Sequence, residues 1–147
     1  MEKINELRDK IHENAKEKGF HRLEDVIYRL GVDERTEVRS ALFAQKIALI
    51  HSEVSEALEA DRKCNYAKLK DFKLCQSINQ ANHTIRNDDF DIVSFENMIH
   101  NSVEDELADV IIRVLDLCGW LNIDIESHIE LKMKYNQLRR YRHGKKY

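Results

Sequence analysis

Apolar residues return every three or four positions along most of this chain, the spacing that lines one side of an α-helix. Ile4, Leu7 and Ile11 mark the first stripe, and Lys16, Glu17, Lys18 and Gly19 close it, so a helix is expected over residues 2–18 with glycine as its stop. A shorter segment from Leu23 to Leu30 runs to Gly31, and Asp33 with Glu37 can open a long helix over roughly residues 34–61. At about 100° per residue, Phe43, Ile47, Ile50, Val54, Ala57 and Leu58 form one apolar arc on it, with Leu42 and Leu49 at the shoulder. Residues 62–100 are more polar and less periodic. They read as a helix to about residue 80, a loop near 82–89 and a short helix to about residue 100 around Phe90, Ile92, Val93, Phe95, Met98 and Ile99. From Val103 to Leu121 apolar side chains cover well over half of the helix circumference. That predicts a central, extensively buried helix, and an intrachain bundle could supply the burial by itself. Its polar stripe of Asp105, Glu106, Asp109, Arg113 and Asp116, continued by Trp120, is expected to line a cavity. Asn122 and Asp124 can cap a last helix over about 125–139, after which RRYRHGKKY leaves the body of the domain.

Composition narrows the class. The chain has no proline and only four glycines, so little in it forbids helix, and an all-α helical bundle forming a single domain over residues 1–147 is expected. Charged residues make up 35% of the chain but nearly balance at a net −3, which argues against a generic nucleic-acid or anionic-membrane surface. The three cysteines, Cys64, Cys75 and Cys118, never form CxxC, so neither a disulfide framework nor a zinc ribbon is expected, and a reducing cytoplasm fits. The segment MEKINELRDK is charged where a signal peptide needs an apolar stretch. No apolar run approaches the ~20 residues of a membrane span. A cytoplasmic protein with no membrane and no stable nucleic-acid partner is the expectation.

Candidate chemistry lies in two pairs of acids with the same spacing: Glu53 and Glu56 in HSEVSEALEADR, and Glu106 and Asp109 in VEDELADVIIRVLDLCGW. Three residues apart on a helix, both acids of a pair share a face, so two such helices could present four carboxylates at one point. Like charges that close need a cation, and hard oxygen ligands suit Mg²⁺ when it also binds a substrate's phosphates. The bland alternative is a pair of solvated helix faces, since a chain with 27 acids produces ExxE by chance. Glu53 weighs against it, because it interrupts the apolar side of its helix, where an unpaired charge is costly to bury. A dinuclear iron bundle would need Glu-x-x-His pairs, and none occurs. The opposite charge comes from KMKYNQLRRYRHGKKY, in which Lys132, Asn136 and Arg139 are spaced to share one helix face and Lys145 follows His143 and Gly144. These could clamp phosphate or simply complement the helix dipole.

In that order, HSEVSEALEADR, VEDELADVIIRVLDLCG and KMKYNQLRRYRHGKKY resemble the MazG-like branch of the all-α nucleoside triphosphate pyrophosphohydrolases, and IHENAKEKGF extends the likeness over nearly the whole chain. The resemblance implies Mg²⁺-dependent cleavage of a nucleoside triphosphate between its α and β phosphates, giving monophosphate and pyrophosphate, with Mn²⁺ able to substitute. It implies Glu53, Glu56, Glu106 and Asp109 as catalytic metal ligands. Lys132, Asn136, Arg139 and Lys145 would hold phosphates or help close the site. A homo-oligomer, dimer or tetramer, with the site near a subunit interface, and a house-cleaning role in nucleotide metabolism are implied as well. Two departures stand out: the stretch from 57 to 105 between the acid pairs is longer than in compact members, and Arg140 stands where many relatives have proline. The rival reading is a non-catalytic helical module that binds a nucleotide or acts through oligomer contacts. Arg113 and Asp116 are expected to serve in an intrahelix or interhelix ion pair that orients Asp109 before any direct substrate contact, Trp120 to be a core or interface residue before a base contact, and His12 and His51 to be partly buried structural histidines.

Overall fold

The computed structural model describes residues 3–27, 29–86 and 89–139, and within them the chain is all-helical, with seven helices and no strand. The helices are α1 (Ile4–Glu17), α2 (Arg22–Ile27), α3 (Val32–Arg62), α4 (Leu69–Ala81), α5 (Ile92–Met98), α6 (Val103–Trp120) and α7 (Ile125–Leu138). Each overlaps an expected segment, although α4 begins only at Leu69 because residues 63–68 form a linker, and Gly19, at φ +83°, ends the first helix in a conformation that suits glycine. No described helix is long and apolar enough to cross a membrane. Contacts divide the chain into two compact units, residues 1–42 with 114–147 and residues 43–113, and α3 and α6 contribute to both.

In the first unit α1 packs against α7. Asn5 Nδ2 donates to Asp124 Oδ1 at 2.7 Å, and Arg8 Nη1 donates to the Ile123 carbonyl at 2.5 Å, so the polar side of α1 is bonded to the turn that starts α7. Asp124 also accepts from the Ser127 amide at 3.2 Å, which makes it the cap of α7 that its sequence position suggested. Where α1 meets α6, Gly119 leaves room for His12: a Cβ there would stand 2.5 Å from His12 Cβ. The buried set of this unit is Ile27, Leu42, Leu115, Leu117 and Cys118, with His21 and Glu24 among them.

The second unit is organised around the start of α6. Ser102, 1% exposed, is its cap, accepting from the Asp105 amide at 3.3 Å, while Asp105 in turn accepts from the Asn101 amide at 3.0 Å. The linker after α3 is bonded to the same place: the Val103 amide donates to the Asn65 carbonyl at 3.0 Å, and Asn65 Nδ2 to the Asn101 carbonyl at 2.8 Å. The Ala67 amide donates to Glu104 Oε2 at 2.8 Å. The long segment between the acid pairs therefore ties the end of α3 to the beginning of α6. Its own folding comes from α4 and α5, where the rings of Phe72, Phe90 and Phe95 meet at centroid distances of 5.2–6.1 Å.

Two burial expectations need correction. On α3, Phe43, Val54 and Leu58 are exposed, Ile47 and Ile50 half-buried, and the buried positions that this helix gives to the second unit are Glu53, Ala57 and Ala60. On α6, Leu107, Ile111 and Ile112 are exposed while Glu106 is buried. Within this unit Glu53 and Glu106 point inward, Asp109 and Glu56 are exposed, and much of the apolar surface of α3 and α6 points outward, so these helices are less buried than their apolar residues predict.

Candidate functional site

Carboxylate oxygens of Glu53 on α3 and of Glu106 and Asp109 on α6 lie within 4.8 Å of one another. Glu53 and Glu106 are 6% and 5% exposed, so two of the three charges have largely lost their water. The ExxD spacing puts Glu106 and Asp109 on one side of α6, with Glu106 in its first turn, where amide groups and the helix dipole favour negative charge, and Asp109 a turn further on. The Ser102 cap and the linker bonds fix where that helix begins, and with it the height of both acids. Glu53 reaches the cluster because it replaces an apolar residue on the inner side of α3.

Glu56 is not one of the three. It is exposed, and its Oε1 accepts the Ser52 hydroxyl at 3.1 Å. Its charge is felt nonetheless. Burial, and then the charges of Glu56, Glu53, Asp105 and Asp109, hold the Glu106 carboxyl above the usual carboxylate range. Asp109 is also raised, by burial first and then by Asp105 and Glu53, against an opposing pull from Arg113 and His100. Both directions mean that the folded unit resists complete ionisation of the cluster, and a bound cation would remove that resistance.

Arg113 is the cation the chain itself provides, with a target other than the expected one. Its Nε–H donates to Glu53 Oε1 at 2.5 Å, linking α6 to α3, so it orients Glu53 directly and bears on Asp109 only through its charge. Asp116 takes no part in that pair; its carboxylate receives His12 and His21 in the first unit. Asp116 lies about one turn further along α6, at the height where α1 brings His12 against that helix. The expectation for Trp120 fares better, as it is half-buried with the Arg39 guanidinium 5.9 Å from its ring.

Of the C-terminal candidates, Lys132, Asn136 and Arg139 lie in the first unit. Lys132 and Asn136 are exposed on α7, and Arg139, also exposed, is the residue that ends the helix, in extended backbone at φ −76°, ψ 145°. Lys132 Nζ and Arg139 Cζ stand 5.2 and 5.7 Å from the ring of Tyr135, which gathers two positive charges around one aromatic ring. Tyr135 was invisible to reasoning from charge spacing, although its position three after Lys132 and four before Arg139 carried the signal. Lys145 and Arg140 lie outside the described residues. The Ser102 cap was also missed, although Ser-x-x-Asp before an apolar run announces one. No protein-family model, curated protein or solved structure matches the chain.

Proposed function

We propose that this protein is a Mg²⁺-dependent nucleotide pyrophosphohydrolase of the MazG-like kind, cleaving a nucleoside triphosphate between its α and β phosphates. The observation that carries this reading is the convergence of Glu53, Glu106 and Asp109, the first two buried and Asp109 exposed at the edge of the cluster, with carboxylate oxygens within 4.8 Å of one another. The donor set is all hard oxygen and fits Mg²⁺, or Mn²⁺ in its place. Bound there, the ion would neutralise phosphate charge and acidify a water.

The residues of the chain divide the remaining work. Glu53, Glu106 and Asp109 hold the ion, and Arg113 keeps Glu53 turned toward α6. Glu56, outside the trio and with Oε1 accepting from Ser52, is assigned the proton from the attacking water. As that water's oxygen bonds to the α-phosphorus, the bond to the bridging oxygen breaks and pyrophosphate leaves. Lys132, Asn136, Arg139 and Lys145 are assigned to the substrate's phosphates on the resemblance alone. The outward apolar side chains of the second unit support self-association, with a second copy covering Leu107 and Ile111.

The experiment is pyrophosphate release from a panel of ribo- and deoxynucleoside triphosphates, with Mg²⁺, with Mn²⁺ and with chelator. Metal-dependent formation of monophosphate and pyrophosphate is expected. The Arg113–Glu53 bond favours one rival, a cluster already neutralised and used for nucleotide binding without turnover; tight Mg²⁺-nucleotide binding with no product across the panel would select it.

A further inference from the structure

We propose that His12, His21 and Asp116 form a second cation site, for Zn²⁺ or a similar borderline metal, with Glu24 as the carboxylate behind His21. Asp116 Oδ1 lies 2.8 Å from His12 Nδ1 and 2.7 Å from His21 Nε2, and the three ligand atoms fall within 4.8 Å of one another. The two rings meet edge to face, at a centroid distance of 4.5 Å and an interplanar angle of 81°, so their nitrogens converge on the carboxylate rather than stack past it. Zn²⁺ bonds nitrogen and oxygen at about 2.0–2.1 Å, which in a tetrahedron sets ligand atoms about 3.3 Å apart. Lengthening the two Asp116 contacts by about half an ångström would match that spacing.

The donor chemistry separates this site from the acid trio. Two imidazoles and a carboxylate suit Zn²⁺, where an all-oxygen set suits Mg²⁺. The surroundings are also those of a metal-binding histidine. His21 is 3% exposed, and its other nitrogen, Nδ1, lies against the Glu24 carboxylate, itself 8% exposed. A ligating imidazole characteristically donates its second N–H to such a carboxylate, which fixes the tautomer that leaves Nε2 for the metal. The backbone is built to bring the parts together. His12 comes from α1, His21 from the turn before α2, Glu24 from α2 and Asp116 from α6. The approach of α1 depends on Gly119, one turn beyond Asp116, where any Cβ would strike His12. The side chains of His12 and Asp116 are 20% and 16% exposed, so an ion can enter past them while His21 stays enclosed.

The competing account is a hydrogen-bonded ion pair in which a proton on His21 does the work of the metal. X-ray absorption at the zinc edge distinguishes the two, using the full, tag-free chain given one equivalent of Zn²⁺ in excess Mg²⁺. Scattering from two imidazoles is expected, at about 2.0–2.1 Å. His12→Asn, at a partly exposed position, should leave one imidazole, and Glu24→Gln should keep both while weakening Zn²⁺ binding about 10- to 100-fold. An all-oxygen zinc environment, two imidazoles persisting in His12→Asn, or no Zn²⁺ bound at micromolar concentration would each overturn the proposal.

Discussion

Glu106 combines a stability cost with a proposed function. It is buried among other acids and its carboxyl is raised, so its ionised form strains the fold. Replacing it with glutamine removes a like charge and keeps the shape. In chelator, Glu106→Gln should melt above the wild type, by about 0.5–2 kcal/mol, the usual gain from relieving a functional site. The wild type should gain thermal stability on adding Mg²⁺ and the variant should gain little, with turnover abolished. A variant that melts lower and is still protected by Mg²⁺ would remove Glu106 from the site. Glu56 predicts a different pattern, because it stands outside the trio: Glu56→Gln should lower kcat by about 10²- to 10⁴-fold while the Mg²⁺ concentration for half-maximal protection stays put. An equal loss of metal affinity would make it a fourth ligand instead. The ExxE and ExxD spacings made all four acids visible in the sequence. What they could not show is that Glu53 would find Arg113, since that bond depends on how α3 and α6 meet in the second unit.

Helix ends set the positions of the polar side chains. Asp124 caps α7 and bonds Asn5 of α1, and these bonds hold its carboxyl down at about 2 from an ordinary 3.8. A lowered carboxylate stabilises the fold fully above its ordinary value, and the contribution is lost as pH falls from there toward about 2. Asp124→Asn should therefore melt lower than the wild type at neutral pH, with the two curves converging in acid as the wild-type carboxyl takes its proton. Parallel curves over that range would show that the charge contributes nothing. Helix limits were legible throughout because glycine, capping acids and apolar periodicity are local signals. The bonds from Asn65 and Ala67 to the start of α6 were not, since they join backbone groups distant in sequence and leave no periodic trace.

For the molecule as a whole, the inverted character of the second unit matters most. Leu107 and Ile111 are 48% and 57% exposed on the same helix that buries Glu106. In the self-association proposed above, a second copy would bring the same surface to the contact and cover these residues. Light scattering after size exclusion should show a dimer or tetramer, and Leu107→Glu with Ile111→Glu should shift it to monomer. A wild-type monomer at micromolar concentration would refute self-association. The sequence alone determined the all-α class, the order and limits of the helices and the recurrence of two acid pairs. Those follow from backbone propensity, capping and the 3.6-residue turn, which act between near neighbours. Only the tertiary structure decided that three of the four acids converge, that Arg113 serves Glu53, and that His12, His21 and Asp116 meet at all. Which side of an amphipathic helix faces inward depends on its packing partners, and periodicity names the sides without choosing between them.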